Sequence, residues 1–149
     1  MYSVSLRIVN DEGEAEDIMQ ESFLKAFKKI DTYKGEVSIG AWLKKIVVNR
    51  SLDHLKKKRV QFEEVNPRLQ LPDDNEEYRE VNVEHIKRAI MSLPDGYRVI
   101  LSLHLIEGYD HDEISQILGI SNSASRTQYS RAKTKLKELL KGKEIYLYN

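Results

Sequence analysis

Residues 14 to 30, "EAEDIMQESFLKAFKKI", carry Ala15, Ile18, Met19, Phe23, Ala26, Phe27 and Ile30 at steps of three and four, with Ser22 on the same stripe. That spacing predicts an amphipathic α-helix with one apolar face. Phe23 and Phe27 are read as core. Glu16, Asp17, Gln20, Glu21 and Lys28 fall off the stripe. Acids lead and lysines trail, as the helix dipole favours. Ahead of it, "YSVSLRIV" predicts a shorter apolar helix. "DTYKGEVSIG" then breaks the period with two glycines. A second long helix is predicted over residues 39 to 58, its core contacts supplied by Trp42, Leu43, Ile46, Val47 and Leu55. An aromatic on such a face is more often packing than a stacking platform, and Trp42 is read that way.

Residues 60 to 82 hold Pro67, Pro72, an acidic cluster and no sustained period, which predicts a linker. Beyond it, "EHIKRAIMSL" is a helix ended by Pro94, Asp95 and Gly96. "YRVILSLHLIE" is another, ended by Gly108. Asp110 and Glu113 have the spacing of an N-cap and its reciprocal partner. They start a short helix, Asp112 to Leu118, with Ile114, Ile117 and Leu118 inward. Gly119 can take the left-handed conformation that ends it. Ser121 can cap a last helix, from about Asn122 to Leu140. Its inward stripe is Tyr129, Ala132, Leu136, Leu139 and Leu140, with Ser125 a weak member. The predicted fold is all-α: two small helical domains, 1–59 and 83–143, joined by a flexible linker at 60–82.

Composition narrows the class. The 149 residues suit one compact domain or two small ones. Charged residues make up 32%, above the usual quarter or so. There is no cysteine, which excludes disulfides and thiolate metal sites. No apolar run approaches the ~20 residues of a membrane span. The first residues lack the basic head and apolar core of a signal peptide. These features predict a cytoplasmic protein without membrane insertion.

The formal net charge is zero, but the charge is segregated. Residues 11 to 21 and 63 to 84 are acidic. Residues 44 to 59 are basic through Lys44, Lys45, Arg50, Lys56, Lys57, Lys58 and Arg59. Residues 126 to 143 are basic through Arg126, Arg131, Lys133, Lys135, Lys137, Lys141 and Lys143. One such run is usually a solvated helix face. Two, each on a predicted helix, point to two contacts with a polyanion.

The second run gives the first contact a form. A short helix, a tight turn and a longer helix make a helix-turn-helix. Its second helix can enter the major groove with its N-terminal residues at base edges. Asn122, Arg126, Thr127, Ser130, Arg131 and Lys133 face away from the apolar stripe. Arg can pair with guanine, Asn or Gln with adenine, and Ser or Thr with several edges. Lys133, Lys135 and Lys137 suit phosphates, which add salt-dependent affinity without sequence choice.

Three stretches, in order, resemble bacterial sigma factors of the sigma-70 family, specifically the small extracytoplasmic-function (ECF) group. "EAEDIMQESFLKAF" looks like the family's core-binding helix. "WLKKIVVNRSLDHLKKKR" is similar to its helix for the minus-ten promoter element. "LPDGYRVILSLHLIEGYDHDEISQILGISNSASRTQYSRAKTKLKELL" resembles its C-terminal domain, which reads the minus-thirty-five element. The resemblance implies a protein that binds RNA polymerase core and directs it to promoters. It implies that residues 1–59 are region 2 and residues 83–143 region 4. Glu16, Asp17, Gln20 and Glu21 match the surface for the clamp helices of the largest polymerase subunit. Lys45, Asn49, Arg50, Lys56 and Lys57 fall on the helix beside the melted minus-ten strand, and Lys34 to Ser38 in the loop that holds a flipped base. Arg126, Thr127, Gln128, Ser130, Arg131 and Lys133 fall on the base-reading helix. The resemblance also implies an anti-sigma partner.

The sequence departs from the family in three places. The family carries another helix ahead of the point where this chain starts, so the first domain reads as truncated. Ser125 stands where a branched apolar residue is usual, and Gln128 where a basic one is common. The long region between DNA-binding domains of primary sigma factors is absent, which favours the ECF group.

Three other readings compete. His111 and Asp112, with His104 nearby, invite comparison with metal-dependent phosphohydrolases. Such sites need more ligands brought together, and Asp112 reads more simply as a helix-dipole partner. No catalytic residue, metal or cofactor is therefore predicted. A helix-turn-helix regulator that never engages polymerase leaves the acidic helix at 14–30 unexplained. A pure interaction module needs no base-reading side chains.

Overall fold

A computed structural model describes the backbone of residues 1–61 and 83–144 and the side chains of residues 1–58 and 83–141. The described residues are helical throughout their regular elements, as predicted. The chain divides into two compact units, Met1–Val65 and Asn66–Asn149. The predicted linker at 60–82 lies outside the described residues, apart from the last turn of the helix that reaches Gln61.

The first unit holds α1 (Tyr2–Val9), α2 (Glu12–Lys28) and α3 (Ile39–Gln61), each packed on the other two. Asp11 caps α2, its side chain accepting from the Glu14 N–H at 2.9 Å. Val4, Ile8, Val9, Ala15, Ile18, Val47, Val48, Leu52 and Leu55 form the core. Small residues let the helices approach. Buried Ser51 donates to the Val47 carbonyl at 2.7 Å and lies 3.0 Å from the Ser5 hydroxyl on α1.

Phe23 and Phe27 correct the sequence reading. They are 51% and 82% exposed. The face that α2 buries is its small-residue side: Ala15, Ile18, Ser22 and Ala26. Phe23 follows Ser22 and Phe27 follows Ala26, each about 100° further round the helix. Eight residues of α1 also rise only about 12 Å, against about 25 Å for the seventeen of α2. The phenylalanine flank is left to solvent, with Leu24 and Ile30.

The second unit holds α4 (Val83–Ser92), α5 (Asp95–Leu101), a π-helical segment (Ser102–Ile106), α6 (His111–Leu118) and α7 (Asn122–Glu144). The predicted single helix through "YRVILSLHLIE" is thus α-helical and then π-helical, the Glu107 N–H reaching the Ser102 carbonyl at 2.9 Å. Pro94 is the N-cap of α5. Arg98 is 2% exposed and donates to Asp95 at 2.7 Å and to the Leu93 carbonyl at 3.2 Å. Ile90, Leu93, Val99, Ile100, Leu101, Leu103, Ile114, Ala132, Leu136 and Leu140 form the core.

Candidate nucleic-acid interface

The helix-turn-helix is built by local chemistry. Asp110 accepts from the Glu113 N–H at 2.8 Å, and the Glu113 carboxylate accepts from the Asp110 N–H at 3.2 Å. That reciprocal pair starts α6 as its spacing predicts. Gly119 ends α6 at φ 68°, a conformation glycine adopts without steric penalty. Ser121 accepts from the Ala124 N–H at 3.0 Å and opens α7. Asn122 adds a tie across the turn, donating to the Asp112 carboxylate at 2.6 Å.

On α7, Ser125, Ala132, Leu136 and Leu140 are buried, and Tyr129 and Leu139 are half-buried. Arg126, Thr127, Ser130, Arg131 and Lys133 are exposed, and Gln128 is half-buried. Arg126 with Ser130, and Thr127 with Arg131, are four apart and so share faces. The first three turns of α7 therefore present two guanidinium groups and two hydroxyls outward. Lys133 is less independent: its Nζ sits 5.1 Å from the centroid of the Tyr129 ring, a cation–π contact. Lys135 lies 3.5 Å from Glu138.

In the first unit, α3 carries Lys45, Asn49, Lys56 and Lys57, all exposed. Lys45, Asn49 and Lys56 recur at four and seven residues, along one line of the helix. The loop before α3 is tied down. Gly35 has φ 74°, the Tyr33 hydroxyl donates to the Val37 carbonyl, and Ser38 caps α3 by accepting from the Ala41 N–H at 3.1 Å. The Tyr33 and Trp42 rings meet at 5.4 Å, and Trp42 is half-buried. Lys34 is exposed. The hydroxyl of Ser38 thus holds the helix start, while the loop backbone around it stands open.

On α2, Glu16, Asp17 and Gln20 are exposed and Glu21 is half-buried. Glu21 and Arg50 were expected to face different partners, polymerase and DNA. The structure joins them: Arg50 Nε donates to the Glu21 carboxylate at 2.8 Å, and His54 Nε2 lies 3.2 Å from the same oxygen. The hydrogen bond from Arg50, helped by the one from His54 and opposed by partial burial, holds the Glu21 carboxyl below the usual glutamate range. Twenty-nine residues separate the two, so no local spacing announces the pair. A groove beside it is lined by Leu24, Lys25, Lys28 and Lys29, with Glu21 and Arg50. In the sequence its lysines read as partners of the helix dipole, with no binding role.

His111 and Asp112, the pair that suggested a phosphohydrolase, are both occupied. Asp112 holds Asn122, and His111 Nδ1 lies 2.8 Å from Ser125 Oγ. Among the described residues no helix is long and apolar enough to cross a membrane.

A helix-turn-helix with an arginine-bearing second helix, in a chain with a second basic helix, defines a DNA-binding protein of the all-helical kind. The comparisons with known proteins specify which. The Sigma-70 region 2 model matches residues 1–60, and the Sigma-70, region 4 model matches residues 84–136. The ECF RNA polymerase sigma factor SigW of Bacillus subtilis is 27% identical over 95% of this chain and 83% of its own length. The RNA polymerase sigma factor SigZ of the same organism is 31% identical over 90% of this chain and 77% of its own. The sigma factor RpoE of Bartonella quintana, solved with the anti-sigma factor NepR, shares the fold. Its TM-score is 0.67 at 22% identity, over 94% of this chain and 89% of that one. The chain belongs to the sigma-70 family of RNA polymerase sigma factors, in the extracytoplasmic-function group. Membership makes it a promoter-recognition factor for RNA polymerase rather than a regulator that acts apart from it.

Proposed function

We propose that each unit makes its own contact with the initiation machinery. Asp17 and Gln20, with Glu16, offer the exposed polar face of α2 to the clamp helices of the largest polymerase subunit. Glu21 supports that face from behind, through Arg50. Lys45, Asn49, Lys56 and Lys57 track the melted minus-ten strand along α3, and the loop from Lys34 to Ser38 holds a base turned out of the stack. A line of basic side chains on a helix that follows an exposed loop suits single-stranded DNA. Arg126, Thr127, Ser130 and Arg131 read the minus-thirty-five element in the major groove, with Gln128 beside them and Lys133 nearer phosphate.

The observation that carries this reading is the first three turns of α7: Arg126, Thr127, Ser130 and Arg131 are all exposed, on a helix whose opposite face is buried. A fold needing only a stable hairpin has no use for that set. Of the solved proteins of this fold, RpoE was captured with the anti-sigma factor NepR and CnrH with the cytosolic domain of CnrY. A partner of that kind, masking the polymerase- or DNA-facing surfaces, fits this chain as well. The setting is the cytoplasm, where polymerase and promoter are.

The test is co-elution with core polymerase, for the wild type and for Asp17→Ala with Gln20→Ala. The wild type should travel with the core. The double variant should keep its helical circular dichroism and lose much of that binding. Undiminished binding refutes the assignment of α2.

A further inference from the structure

Ser125 is fully buried on the apolar stripe of α7. A buried hydroxyl there needs a hydrogen-bond partner, and His111 Nδ1 provides it at 2.8 Å. His111 is the first residue of α6. Its ring stacks on His104 at 4.4 Å and 18°. His104 belongs to the π segment, and its Nδ1 lies 2.8 Å from the Tyr109 carbonyl oxygen. A carbonyl only accepts, so that nitrogen carries a hydrogen. Tyr129 of α7 meets both imidazoles edge-on, at 4.4 Å and 5.6 Å. Four side chains from three segments thus close the helix-turn-helix, and two of them, Ser125 and Tyr129, sit on the turns of α7 that carry its outward arginines.

We propose that His111 and Ser125, backed by His104, form a proton-sensitive latch that positions α7 for base reading. With both imidazoles neutral, the stack closes and α7 keeps its angle to α6. Acid puts positive charge on both stacked rings, like charges 4.4 Å apart repel, and the latch loosens. His111 and Ser125 are positioning residues, acting through Arg126 and Ser130. The inference rests on the reading of α7 as the base-reading helix.

The surroundings favour the neutral ring. Asp110 and Asp112 stand on its own helix, His104 on the π segment, and Arg126, Tyr129 and Lys133 on α7. Burial first, then His104 and Arg126, hold the His111 imidazole below the usual histidine range, outweighing the two aspartates. The sign follows. A histidine with a depressed folded value contributes its stability above the ordinary pKa of about 6.5, and that contribution is lost as pH falls through the folded value.

Two measurements on the full chain decide it. The first is an NMR titration of the imidazole C–H signals, assigned by single substitutions. His111 should titrate below the ordinary range, and His104→Gln should move it upward. A His111 that titrates as a free imidazole, unmoved by His104→Gln, overturns the latch whatever the DNA does. The second uses holoenzyme on a genomic fragment from which it initiates, compared with the same fragment scrambled upstream. From about pH 8 down through the His111 titration found by NMR, the wild-type preference for the intact element should fall roughly fivefold, the ratio that about 1 kcal/mol corresponds to. His111→Gln, which cannot titrate, should keep a pH-flat preference, and Ser125→Ala should flatten the profile independently. A preference that is pH-flat in the wild type, or falls equally in His111→Gln, overturns the latch alone. No preference at any pH overturns the base-reading role of α7, and with it the latch's function.

Discussion

Replacing Glu21 by Gln isolates an interaction that ties the two predicted surfaces of the first unit together. The glutamate oxygen sits 2.8 Å from Arg50 Nε and 3.2 Å from His54 Nε2. A fully buried pair broken on one side would cost several kcal/mol. Here the Glu21 and Arg50 side chains are 40% and 37% exposed, so water screens the pair. The expected loss for Glu21→Gln near neutral pH is about 0.2–1 kcal/mol, the range of exposed ion pairs. The folded carboxyl titrates below its ordinary value. Its contribution is therefore present above the unfolded value of about 4.3 and lost as pH falls through the folded value. Denaturant unfolding followed by Trp42 measures it. Trp42 is the chain's single tryptophan and shares α3 with Arg50. Wild type and Glu21→Gln should differ near neutral pH and converge in acid below the folded carboxyl's titration. Arg50→Ala combined with Glu21→Gln should lose less than the sum of the two. A deficit that persists unchanged in acid, or strict additivity, refutes the pairing as a stabilising interaction.

Arg131→Ala should weaken discrimination for the upstream element by about 1–3 kcal/mol if its guanidinium pairs bidentately with a base; equal transcription from intact and scrambled upstream elements in the wild type would refute it. Lys56→Ala with Lys57→Ala should lower promoter affinity and reduce the salt slope by about one per lost phosphate contact. An unchanged slope would place those lysines away from the strand. Asp110→Ala removes the N-cap of an eight-residue helix and should cost about 0.5–2 kcal/mol, read by thermal unfolding, while Asp110→Asn should recover most of it.

Much of this architecture was legible because it is local. The Asp110–Glu113 box, the left-handed Gly119 and the Ser121 cap each depend on residues within a few positions, and each formed as its spacing implied. The inward stripe of α7 held for the same reason. Ser125, a weak member by composition, is fully buried, because His111 satisfies its hydroxyl. What failed was non-local. Periodicity gave α2 an apolar stripe, but not which half of it α1 and α3 would cover, so Phe23 and Phe27 were misread. The Glu21–Arg50 pair and the stacked histidines join segments whose meeting depends on helix packing, and no short motif encodes either. The π turn after Leu101 leaves no mark in hydrophobic spacing, yet it carries His104 to His111.

Run-off transcription with core polymerase on a genomic fragment library tests the central claim most directly. Added to core, the chain should produce transcripts with discrete 5′ ends, absent with core alone and lost when the upstream or minus-ten element is scrambled. Start sites unchanged by the chain, with no co-elution with core, would contradict the account.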